Sequence, residues 1–97
     1  MACYSIAHIT VTNPEGFKEY QGQVPATIAQ YGGRYLVRGG DATDIEGAMP
    51  YSRHVVVEFP DRATAERWYN GPEYQAILPL RLANAEGCVT IVDGYEG

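Results

Sequence analysis

The sequence predicts an α+β fold of the ferredoxin-like kind, a βαββαβ antiparallel sheet with both helices on one face. Three observations predict it. The order of periodic segments reads strand, helix, strand, strand, helix, strand. Apolar residues alternate with period two in the strand segments and recur every three or four residues in the helical ones. Glycine and proline punctuate the boundaries, and 97 residues suit a single domain, 1–97, with one core.

The first strand runs from Cys3 to Val11. Tyr4, Ile6, His8 and Thr10 share one face, and Ser5, Ala7, Ile9 and Val11 the other. Thr12 and Glu15 fit a capping box, with Pro14 in the first turn of a helix. Phe17, Tyr20, Val24, Ile28 and Tyr31 form its apolar stripe. Pro25 lacks an N–H and is expected to kink or divide this helix. Gly32-Gly33 close it, and Tyr35-Leu36-Val37 has strand composition that stops at Gly39-Gly40. A strict period of two puts Arg34, Leu36 and Arg38 on one face of that strand and Tyr35 and Val37 on the other.

Residues 41–50 read as a loop, and Tyr51 to Phe59 as a strand. Its Arg53, Val55, Val57 and Phe59 share a face that looks core-directed, which turns His54 and Glu58 to the opposite side. Asp61 is the expected N-cap of the second helix, whose buried stripe is Ala65, Trp68 and Tyr69. Asn70-Gly71 ends it and Pro72 starts a helical extension. Tyr74, Ile77, Leu78 and Arg81 share one side of that extension, and Pro79 limits its regularity. Gly87 leads to the last strand, Cys88 to Asp93. This order leaves one sheet face uncovered, and a second copy of the chain is the simplest cover.

The formal net charge is -5. A nucleic-acid backbone binder needs a basic footprint, so that class is excluded. Six of the seven basic residues are Arg, whose planar fork suits carboxylates. Eight Tyr against two Phe favour pocket walls and interfaces, because a buried phenol needs a polar partner. Cys3 and Cys88 are too far apart in sequence for a CxxC metal site and read as free core residues. No basic and apolar leader and no membrane-length apolar run is present, so a soluble cytoplasmic protein without a membrane association is expected.

The uncovered face would carry Tyr4, His8, Arg34, Arg38, His54 and Glu58. One reading is a small pocket, in which Arg38, with Arg34 as the alternative, holds a carboxylate or enolate oxygen. His8 or His54 then moves a proton, and Glu58 orients its neighbours. Tyr4 lines the mouth, with Tyr74 and Arg81 at its rim. The other reading is an Arg38–Glu58 ion pair in a structural or dimer-interface network. His54 and Glu58 stand four residues apart, about 13 Å along a strand, so they do not ligate one ion and no metal is expected. No nucleophile motif, phosphate loop or GxGxxG fingerprint occurs, and no cofactor is expected.

Val24-Pro25, Tyr31-Gly32-Gly33-Arg34, Arg38-Gly39-Gly40, Glu46-Gly47, Glu58-Phe59-Pro60, Trp68-Tyr69, Pro72-Glu73-Tyr74 and Arg81 stand in the order and spacing of the domain-of-unknown-function 1330 family. By this pattern the chain resembles that family from end to end. The family in turn resembles the dimeric α+β barrel superfamily, in which two ferredoxin-like protomers press their open sheet faces together. The resemblance implies a homodimer. It is compatible with small enzymes and with plain binding proteins alike. For this chain it raises a cofactor-free proton transfer on a small acidic or phenolic carbonyl compound, of the isomerase or lyase type. The alternative is a non-catalytic ligand-binding or protein-interaction module.

Overall fold

The computed structural model describes residues 1–96. Its elements are β1 (Cys3–Val11), α1 (Pro14–Gln30), β2 (Arg34–Arg38), β3 (Arg53–Phe59), α2 (Arg62–Asn70), α3 (Pro72–Asn84) and β4 (Ala85–Asp93). The strands form one sheet in the order β2-β3-β1-β4, with every neighbouring pair antiparallel. This is the ferredoxin-like arrangement that the element order implies.

The core lies between the helices and one sheet face. From the sheet it takes Cys3, Ile9, Val57 and Phe59, and from the helices Phe17, Tyr20, Val24, Ile28, Ala65, Trp68, Tyr74, Ile77 and Leu78. Phe59 and Trp68 meet with ring centroids 5.2 Å apart, and Trp68 and Tyr74 at 4.5 Å. Such aromatic contacts add to what burial alone contributes. Trp68 Nε1 donates to Thr27 Oγ1 at 3.1 Å, and that hydroxyl donates to the Val24 carbonyl, so the buried indole N–H is satisfied.

Asp61 caps α2 as expected, its carboxylate accepting from Thr64 N at 2.7 Å. Thr12 and Glu15 do not form the expected capping box. Asn13 is the N-cap of α1 and its side chain makes no capping bond. Instead the Thr12 and Asn13 amides donate to the Asn84 carbonyl at the end of α3, at 2.8 and 3.1 Å. Tertiary contact replaces the local cap, tying the exit of β1 to the exit of α3.

Pro25 does not divide α1, which runs through it as one helix. The missing N–H leaves the Gln21 carbonyl without its usual i+4 donor. Arg38 Nη2 fills that place at 3.1 Å. A side chain from β2 thus completes the helix ladder where proline interrupts it.

The strict alternation expected for β2 fails. Arg34 pairs with Glu58 and Tyr35 with Val57, but Val37 then pairs with Val56 and Arg38 with Val55. Leu36 is the extra residue of a β-bulge, and beyond it every side chain changes face. Arg34 stays on the open face. Arg38 lies on the helix-covered face, with Tyr35, Arg53 and Val55.

Candidate functional site

The bulge and the Arg53 position bring two arginines to the covered side of the sheet, and α3 adds a third. Arg38 from β2, Arg53 from β3 and Arg81 from α3 line one cavity between sheet and helices. Its volume is ≈ 50 Å³. One water needs roughly 10–15 Å³ of such space, so the cavity has room for a few waters or a small organic molecule. Tyr20, Tyr35, Tyr74 and Trp68 supply aromatic walls, and Ile9, Phe17, Val55 and Val57 supply apolar ones. An apolar cavity with a few converging polar groups is the usual form of a small-molecule site.

The charge in this cavity is one-sided. No Asp or Glu lines it. Arg38, Arg53 and Arg81 take part in no ion pair among the described residues, whereas Arg34, Arg62 and Lys18 all do. Arg81 is only 8% exposed. The Nε atoms of Arg53 and Arg81 are buried and have no hydrogen-bond partner. A buried cationic donor without an acceptor is costly, and native interiors rarely keep one without a role. Arg38 is exposed at the cavity edge, where its guanidinium lies 4.9 Å from the Tyr35 ring centroid.

The Tyr20 and Tyr74 hydroxyls are 2.9 Å apart. Burial pushes the Tyr20 phenol well above its ordinary value, and the neighbouring Tyr74 adds to the rise. Burial also raises Tyr74, opposed by its bond to Tyr20 and by the Arg81 charge beside it. Burial raises Tyr35 against the pull of Arg38 and Arg53. All three phenols therefore stay protonated near neutrality. Between Tyr20 and Tyr74 one hydroxyl donates and the other keeps an O–H free.

The open face holds a separate group. His8 and His54 are cross-strand partners, with their Nδ1 atoms 2.9 Å apart. One ring donates and the other accepts, so the pair needs one proton between the two nitrogens. Arg34 Nε donates to Glu58 Oε1 at 2.7 Å, and Tyr4 Oη donates to Glu58 Oε2 at 3.3 Å. Tyr4, His8, Arg34, His54 and Glu58 are brought together as the sequence suggests. The expected Arg38–Glu58 pair is replaced by Arg34–Glu58, because the bulge turns Arg38 away. Tyr74 and Arg81 do not rim this face but are buried in the helix-side cavity. Cys88 lies on the open face beside His8 and is exposed, not a core residue. No cluster of three or more His, Cys, Asp or Glu able to hold a metal forms among the described residues.

The sequence pattern places Arg53 among valines on the core-directed face and gives it no role. An arginine on a face otherwise made of Val and Phe was the available signal. Tyr20 and Tyr35 were legible only as apolar stripe and strand residues.

The sequence model of the family described as domain of unknown function 1330 matches residues 2–95. No curated protein matches the sequence. Among solved structures, a protein of unknown function from Rhodopseudomonas palustris superposes with a TM-score of 0.79 at 13% identity, over 99% of this chain and 84% of that one. A dimeric ferredoxin-like protein of unknown function from Jannaschia sp. CCS1 gives 0.71 at 12% identity, over 97% of this chain and 100% of that one. SnoaB, a cofactor-independent oxygenase from Streptomyces nogalater, gives 0.62 at 13% identity, over 99% and 95%. These likenesses establish a shared fold. No helix among the described residues is long and apolar enough to cross a membrane.

Proposed function

The chain belongs to the domain of unknown function 1330 family, and on that premise we propose that it is a homodimeric protein that binds a small acidic or phenolic carbonyl compound. The ligand occupies the helix-side cavity. The observation that carries this reading is the cavity itself, lined by aromatic side chains and three arginines with no acid among them. Arg38, Arg53 and Arg81 hold the ligand's oxygens, and Trp68, Val55 and Val57 pack against its body. The open face, with its Arg34–Glu58 and His8–His54 pairs, serves the contact between protomers.

A proton-transfer enzyme is the second reading, and the Tyr20–Tyr74 hydroxyl pair beside Arg81 favours it. A positioned O–H and a guanidinium would stabilise an enolate oxygen as charge develops on it. His8 and His54 lie across the sheet from this cavity, so a base acting there would come from the ligand or from water. A thermal-shift screen with small acids, phenols and enolisable ketones tests both readings. Binding predicts that at least one class raises the unfolding temperature of wild type. If a stabilising compound is turned over, Tyr74→Phe is expected to slow turnover about 10²-fold while binding persists. A screen with no stabilising compound in any class counts against a ligand site.

A further inference from the structure

Within the cavity, the charge and burial of the unpartnered N–H groups specify the ligand further. Arg81 is more than nine-tenths buried, carries a fixed positive charge, and leaves its Nε–H without an acceptor. Arg53 does the same with its own Nε–H. Guanidinium has five N–H donors and no acceptor, and it does not deprotonate in proteins. The Tyr20–Tyr74 pair adds one more free O–H. The group that completes this set must carry only acceptors, bear negative charge, and be small enough for ≈ 50 Å³. A planar carboxylate meets all three conditions and matches the guanidinium fork.

We propose that the cavity is a carboxylate site whose buried seat is Arg81, with Arg53 a second cation on its wall, and that the ligand is a small organic acid whose apolar body lies against Val55, Val57 and Trp68. This rests on the reading of the cavity as a ligand site. Arg38, an exposed member of the same lining, is anchored by the Gln21 carbonyl and lies over the Tyr35 ring. The remainder of the wall is apolar, so an acid with a hydrocarbon or aryl body is favoured over a bare inorganic ion.

The test uses the fluorescence of Trp68, the one tryptophan of the chain, which lines the cavity. Wild type is titrated with benzoate and butyrate, with the neutral analogues benzamide and benzyl alcohol, and with inorganic phosphate and chloride. The expected result is saturable binding of a carboxylate, with the neutral analogues weaker by about 10- to 100-fold. Arg81→Gln is expected to lose a similar factor, and Arg81→Lys to recover only part of it, since ammonium lacks the fork. Should Arg81→Gln fail to fold by circular dichroism, Arg53→Gln, half-buried on the strand, decides with the same expected loss. Neutral analogues that bind as tightly as benzoate overturn the seat while leaving the cavity a ligand site. Phosphate or chloride that binds while neither organic acid does overturns the proposed ligand class. No saturable binding by any compound overturns both the seat and the function proposed above.

Discussion

Gly39 holds a side chain in place by having none of its own. Its φ is +69°, a left-handed conformation that costs an L-residue roughly 1–2 kcal/mol. A Cβ there would also meet the Arg53 guanidinium. Gly47 has nearly the same φ, +70°, yet a Cβ on it would meet nothing. Gly39→Ala and Gly47→Ala should therefore lower the unfolding temperature by similar amounts. Only Gly39→Ala should weaken carboxylate binding in the Trp68 titration, because only it displaces Arg53. Equal affinities in the two variants would show that Arg53 does not hold the ligand. Asp61 gives a pH test of the same local kind. Its hydrogen bonds to Thr64 hold the carboxyl below the usual carboxylate range. A depressed folded pKa contributes stability above the unfolded value of ~3.9 and loses it as pH falls through the folded value. Asp61→Asn should thus be less stable than wild type near neutrality and converge with it in acid, as followed by chemical denaturation at several pH values. Asp61 was legible because N-capping is local. Arg53 was not, because burial of a charge is decided by which sheet face the helices cover.

At the scale of elements, α1 and β2 depend on each other. Pro25 removes the N–H that would have bonded the Gln21 carbonyl, and Arg38 takes up that carbonyl from β2. The bulge at Leu36 is what delivers Arg38 to that side. Neither event is visible to a strict period of two, so the sequence reading put Arg38 with Arg34 and paired it with Glu58. The period was correct for β1 and β3, where registers run without a shift. Pro25→Ala is an informative substitution. It restores a helix N–H in an interior position where proline costs about 3 kcal/mol relative to alanine, so unfolding temperature should rise. The same N–H competes with Arg38 for the Gln21 carbonyl, so carboxylate affinity should fall. A variant that is more stable and binds as well as wild type would separate Arg38 from the site. Arg34→Ala, by contrast, removes a guanidinium with 71% exposure from a pair on the other face. In the isolated protomer it should change stability by less than about 1 kcal/mol; in a dimer joined by that face it leaves Glu58 unpaired and should weaken association, while ligand affinity stays unaltered.

The molecule is thin, 35 × 34 × 16 Å, because helices cover one face of the sheet and no element among the described residues covers the other. Tyr4, Ile6, His8, Val37, His54, Val56 and Glu58 all lie on that bare face, read from the strand registers. It mixes apolar groups with polar groups that already satisfy one another, Arg34 with Glu58 and His8 with His54. Such a surface can be buried without stranding a charge, unlike the helix-side cavity, and a two-fold contact needs only that it complement itself. Stable interfaces bury about 800 Å² per partner, which asks for most of a four-stranded face. Ile6 and Val56 are directly opposed near its middle. Val56→Asp would place a carboxylate there, facing its own copy across the axis, where two like charges would be desolvated together. Sedimentation equilibrium at micromolar concentration is expected to give a dimer for wild type and a monomer for Val56→Asp. Since the cavity lies on the opposite side of the sheet, the monomeric variant should still bind a carboxylate. A wild-type monomer, or a Val56→Asp dimer, would mean that the bare face is not where two copies meet.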